Sequence, residues 1–167
     1  MAHEVHGRVW LLPNDVETAQ LLARAALVQA SGPLTVSALF AELLPGQAER
    51  IAAGDILWAG SNFGHGSARE EAPRLLKDLG VRLVLAASFA RIFYRNAINI
   101  GLAVAVGEPT GVRDGDDLRV HLVTGEITNL TRDQSWRIQP IPPAVRPILA
   151  EGGLIPYIRR HGRLPQI

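Results

Sequence analysis

The 167-residue chain has no cysteine, one methionine and few aromatic residues, 5% of the total. Without cysteine it can form no disulfide, no thiolate zinc site, no cysteine nucleophile and no iron–sulfur cluster ligated by its own side chains. An excess of one charge is also lacking. Seventeen Lys and Arg against 16 Asp and Glu leave a formal charge of +1, so nothing electrostatic points to nucleic acid or an anionic membrane as a partner. No apolar run is long enough to span a bilayer, the longest being broken by Arg, Pro or Gly. The opening MAHEVHGRVW lacks the charged and apolar regions of a secretory signal, and a cytoplasmic address is expected. The five histidines, His3, His6, His65, His121 and His161, are scattered. His3 and His6 suggest at most a weak terminal metal site, a solvated terminus being the simpler reading. No metal centre is expected on this chain.

What is present is an ordinary globular composition, 47% hydrophobic and 20% charged, without repeats or linkers, read as one domain over residues 1–167. GRVWLL reads as a strand stopped by Pro13 and Asn14. The spacing of Leu21, Leu22, Ala25, Ala26 and Leu27 predicts an amphipathic helix over 15–30. Further helices are expected over 35–44 and, briefly, 47–53. Strand DILWA (55–59), a helix from Ser67 or Arg69 to Leu79, strand 81–87, helix 89–100 and strand 102–106 follow. That alternation implies a parallel sheet, and the unbroken apolar strands imply cover on both faces. After Pro109 the alternation over 118–123 and 126–130 around Thr124-Gly125 marks a hairpin. Another strand is expected over 134–139, then a short helix after the Pro-rich stretch and a final turn ending in basic residues. The fold class is α/β with a mixed, partly barrel-like sheet.

Several signals coincide in GSNFGHGSAREEAPRLLKDLG, residues 60–80. Gly60, Gly64 and Gly66 allow tight turns and close approach to a ligand. The loop follows a strand and opens a helix, where free amides and the helix dipole favour a carboxylate or phosphate. Ser67 stands at the entrance and Arg69, a planar fork of donors, two residues on. Two plainer readings compete: Ser67-Ala68-Arg69-Glu70 fits a capping box, and Arg69 could pair with Glu70 or Glu71. The loop has neither the order of a phosphate-binding P-loop nor the spacing of a dinucleotide fingerprint.

GSNFGHGSAREEAP together with ASFARIFYRNAINIGL (87–102) resembles the small subunit of 3-isopropylmalate dehydratase, the counterpart of the swivelling C-terminal domain of aconitase. GDILWAG fits as well, and GRVW and GGLIPYI extend a weaker similarity over most of the chain. The resemblance implies a swivelling β/β/α domain and a hydro-lyase that moves a hydroxyl between adjacent carbons by dehydration and rehydration. It implies that Ser67 is the base and Arg69 the clamp on a substrate carboxylate, with Asn62, Gly66, Ala68 and Arg24 completing the substrate contacts. It further implies a large partner subunit carrying a [4Fe–4S] cluster, consistent with the absence of cysteine here, and a small hydroxy-dicarboxylate substrate. Self-association of the isolated chain stays open.

Phe63 is expected to brace the loop with Asn62 and to be available to a substrate side chain. Ser88, Arg91, Arg95, Asn96 and Asn99 are expected to tie the second helix to the sheet. Trp10, Trp58 and Trp136 are expected to fill core or interface. Three departures from the family pattern bear on the substrate. Ala68 replaces a serine, and Glu71 stands where a histidine is usual. The N-terminal Asp-Thr-Asp is Glu17-Thr18-Ala19, with Arg24 one place out of register in the loop that follows. A paralogue acting on homoaconitate or a methylmalate, and a swivel domain without catalysis, are the alternatives.

Overall fold

The computed structural model describes residues 4–66 and 68–165. In chain order they form β1 (Glu4–Leu12), α1 (Thr18–Ser31), α2 (Val36–Phe40), β2 (Ile56–Ala59), α3 (Glu71–Asp78), β3 (Leu83–Ala86), α4 (Arg91–Ile100) and β4 (Ala103–Val106). Then come β5 (Asp117–His121), β6 (Glu126–Asn129), β7 (Gln134–Arg137), α5 (Arg146–Ala150) and α6 (Leu154–His161). The strands make one seven-stranded sheet in the order β4-β3-β2-β1-β5-β6-β7.

β1 belongs to both halves of that sheet. Residues 9–12 pair in parallel with β2, while residues 4–8 pair antiparallel with β5. β2, β3 and β4 continue in parallel, and β5, β6 and β7 form the antiparallel meander expected from the turn at Thr124-Gly125. The sheet curls until its ends meet: the Gln139 amide donates to the Val106 carbonyl at 3.1 Å. Inside the curl Trp58 stacks on Trp136, with centroids 6.2 Å apart.

The unbroken apolar strands serve two cores because strand side chains alternate. Ile56, Trp58, Leu83, Leu85, Ala103 and Ala105 face the interior of the curl with Leu118, Val120 and Ile127. Their neighbours Leu57, Ala59, Val84, Ala86 and Val104 face the helices, where Leu21, Phe40, Leu76 and Phe93 cover them. Trp10 lies on the helical side, its indole N–H donating to Asp55 at 2.7 Å.

Some local expectations need correction. The helix expected over 35–44 is only the five residues of α2, started by the Thr35 hydroxyl accepting from the Ala38 amide. The helix expected over 47–53 shrinks to a 3-10 turn at Ala48–Arg50, whose Ala48 alone is buried. The expected terminal turn is instead the eight-residue α6, which buries Tyr157 and ends at left-handed Gly162. Arg159, Arg160 and His161 in its last turn suit the negative end of the dipole.

The antiparallel half is tied by Asp116, which is buried and accepts from Asn129 Nδ2 at 2.8 Å, Arg132 Nε at 2.7 Å and the Arg113 amide at 3.0 Å. Burial works to raise its pKa, but the bonds from Asn129, Arg113 and Arg132 outweigh this and hold it below the ordinary aspartate value. Asp116→Ala is expected to cost about 2–4 kcal/mol of stability in urea denaturation, because it strands Asn129 and Arg132. With a lowered folded pKa, the charge contribution is complete above the unfolded pKa and lost as pH falls through the folded one. The stability gap between wild type and Asp116→Asn should therefore narrow below about pH 4; a gap unchanged down to pH 3 contradicts the assignment.

Candidate functional site

The parallel strands deliver their carboxyl ends side by side, the place where open α/β sheets bind ligands. The segments leaving β1 and β2 are stitched together there. Asn14 Oδ1 accepts from the Ser61 amide at 2.8 Å, and the Asp15 amide donates to Ser61 O at 2.9 Å. The Gly64 amide donates to Val16 O at 2.8 Å, and His65 Nε2 donates to Asp15 O at 2.9 Å. The His65 carbonyl accepts from both the amide and the hydroxyl of Thr18, at 2.9 and 3.0 Å. The loop after β3 joins in, with the Asn62 amide donating to Ser88 Oγ at 2.8 Å and the Phe63 amide to Ser88 O at 3.0 Å.

This stitching fixes where the predicted residues lie. Asn62 adopts a left-handed φ of 59°, which asparagine tolerates, and its Nδ2 donates to Asp15 Oδ1 at 2.9 Å. Phe63 is fully buried, edge-on to Phe89 and Phe93, so its expected availability to a substrate is not met. Gly64 has φ 82°, and a Cβ there would lie 2.3 Å from the Phe93 ring. Gly66 has φ 97°, and a Cβ would lie 2.7 Å from Glu17 Cγ and Oε1. Asn14, Asp15 and His65 were missed by sequence reasoning; Pro13-Asn14 read only as the end of a strand.

Ser67 lies outside the described residues. Beyond it, the helix does not open where the capping-box pattern would place it: α3 begins at Glu71 with Glu70 as its N-cap and no side-chain cap. The reason is Pro73, which has no amide for the carbonyl of residue 69 and whose ring would collide with it, so a helix cannot include Arg69. Glu70 accepts from Arg74 instead of reaching back. Asn96 Nδ2 donates to the Ala68 carbonyl at 3.2 Å, fixing the loop to α4. Gly66, Ala68 and Arg69 are exposed, and Arg69 has no partner among the described residues, neither Glu70 nor Glu71. Arg24 stands apart from this group: its Nε donates to Ala38 O at 3.1 Å and its Nη1 to Glu42 at 2.8 Å, holding α1 to α2.

Beside the loop is an open cleft of about 380 Å³, walled by Ser88, Phe89, Arg91, Tyr94, Arg95 and Val106. Burial pushes the Tyr94 phenol pKa above its ordinary value. Ser88 and Asn96 bond to the loop after β2 and not, as expected, to the sheet, and Arg91, Arg95 and Asn99 make no tie among the described residues. They lie on the exposed face of α4, opposite buried Phe93 and Ala97, with no hydrogen bond or ion pair among the described residues. Among the described residues no group of three or more His, Cys, Asp or Glu could hold a metal, and no helix is long and apolar enough to cross a membrane.

A mixed, curled sheet with helices on its outer face and a glycine turn at the parallel strand ends defines an aconitase-type swivel domain, and comparison with known proteins agrees. The family model of the aconitase C-terminal domain matches residues 44–105. The 3-isopropylmalate dehydratase small subunit 2 of Archaeoglobus fulgidus is 40% identical, covering 93% of this chain and 95% of its own. The isopropylmalate/citramalate isomerase small subunit of Methanocaldococcus jannaschii is 42% identical over 93% and 94%. A crystal structure of 3-isopropylmalate dehydratase from the same organism superposes with a TM-score of 0.79 at 31% identity, covering 95% of each chain. The chain belongs to the family of 3-isopropylmalate dehydratase small subunits.

Gly64→Ala tests the rigidity of the loop. It combines a left-handed φ with a collision against a buried ring, and is expected to cost about 2–4 kcal/mol in denaturant unfolding. A loss below about 0.5 kcal/mol would show that the loop yields freely.

Proposed function

We propose that the chain is the small, substrate-recognising subunit of a hydro-lyase that interconverts 2- and 3-isopropylmalate by dehydration and rehydration, a step of leucine biosynthesis. The observation that carries this reading is the match, over 93% of the chain, to relatives bearing that enzyme's name. The partner is a large subunit holding the [4Fe–4S] cluster, which when bound supplies Lewis-acid assistance to the departing hydroxyl. This chain offers no cysteine for such a cluster.

The chain's own residues hold the substrate and move the proton. Ser67 is the proposed base, taking the proton from the carbon next to a substrate carboxylate and returning it during hydration. Arg69, exposed and unpartnered among the described residues, grips that carboxylate with its fork of donors. Gly66 and Ala68 present backbone to the same carboxylate, and Asn62 holds the turn in place through Asp15. Arg24 would have to release Ala38 and Glu42 to reach a substrate, so carboxylate binding is assigned to Arg69.

Serine cannot do this unaided. Its hydroxyl, like water, ionises far above neutral pH, and bringing that down to about 8 takes roughly 10 kcal/mol. A helix N-terminus supplies at most about 2 kcal/mol, and here α3 starts four residues beyond Ser67 with two glutamates at its head. The remainder must come from a site closed by the partner. The isolated chain is therefore expected to be inactive.

Reconstitution with the large subunit, assayed on 2-isopropylmalate and citramalate, tests the reading. Turnover of isopropylmalate above background is expected. Ser67→Ala should lower kcat by about 10²–10⁴, and Arg69→Lys should raise KM through loss of the bidentate grip. Hydration of an unsaturated diacid by the purified chain alone, or a reconstituted pair inert towards isopropylmalate, overturns it.

A further inference from the structure

We propose that the cleft between α4 and the ends of β3 and β4 is a docking pocket for the large subunit, taking a carboxylate-bearing segment with an apolar flank. The inference rests on the reading above that the chain works with such a partner, and adds where and by what chemistry the two are held.

Arg91 and Arg95 lie one helical turn apart on α4 and both line the cleft. Both are exposed and neither has a partner among the described residues, so two neighbouring positive charges stand without a counter-charge. A carboxylate set between two guanidinium groups relieves that repulsion and accepts charge-assisted, bidentate hydrogen bonds. The apolar wall is already in place. Phe89 stacks parallel to Phe93 at 6.2 Å, Phe93 lies edge-on to Phe63, and Tyr94 packs at 5.7 Å from Phe89. Ile92, 51% exposed on the same helix, leaves apolar surface in water beside the arginines.

Two features favour a macromolecule over a small ligand. The cleft is open, and a small carboxylate there would keep much of its surface in water, unlike ligands in enclosing pockets. The cleft is also continuous with the glycine turn, since Ser88 both lines it and accepts from the Asn62 amide. A partner that closes over Gly66 and Arg69 must pass beside it. Desolvated aromatic and arginine groups in one pocket are the usual anchors of such interfaces.

The test measures affinity between the full-length chain and the large subunit from the same organism, across a range of salt concentrations. Arg91→Glu/Arg95→Glu is expected to raise Kd by roughly 30-fold or more and to flatten its salt dependence. Arg91→Lys/Arg95→Lys should fall between, keeping the salt dependence but not the bidentate geometry. Circular dichroism and Tm matching wild type establish that the variants fold. An unchanged Kd overturns the docking pocket while leaving the proposed function standing. An unchanged Kd with a raised KM overturns it too, by making the cleft a substrate subsite. Failure of the wild-type chain to bind any large subunit overturns the functional reading itself.

Discussion

The hydrogen-bonded run between the chain leaving β1 and the chain leaving β2 is the constraint on which the candidate site depends. Neither segment is a regular element, so neither would hold its shape alone. Joined through Asn14, Asp15, Val16 and Thr18 on one side and Ser61, Gly64 and His65 on the other, they satisfy one another's backbone groups. Phe63 locks the result from beneath by entering the aromatic cluster of α4. The glycine turn is thus a rigid platform, with exposed Gly66, Ala68 and Arg69 on its rim.

The arginines of the fold divide between paired and unpaired positions. Away from the rim, several arginines are engaged: Arg24 with Glu42, Arg74 with Glu70, Arg132 with Asp116, Arg146 with backbone carbonyls, and Arg160 with Glu151. At the rim Arg69, Arg91 and Arg95 have no such partner among the described residues. The arrangement suits an anionic substrate on one side of Ser88 and an acidic partner surface on the other.

Much of this was legible in the sequence. Apolar strands without alternation announced a doubly covered parallel half, and Thr124-Gly125 between alternating runs announced the hairpin. The glycines of the turn pointed to the place where chemistry would be found. The sharing of β1 between a parallel and an antiparallel neighbour was not legible, because one strand pattern serves either pairing. The start of α3 could have been read from Pro73, whose missing amide forbids helix at Arg69; the capping-box pattern at Ser67 competed with it and misled. Arg91 and Arg95 were expected to tie α4 to the sheet because residue type does not show which face of the helix is covered, and only the packing of Phe93 and Ala97 decides that.

The contact between Glu17 and Gly66 carries an evolutionary consequence. The two positions are far apart in the chain, yet the carboxylate of one fills the space where a side chain on the other would begin. Residue 66 is therefore free to vary only if the Glu17 side chain swings aside or is shortened, and even then against an unfavourable backbone angle. The pair is coupled, so that divergence at the turn draws an accommodating move or change at the mouth of α1.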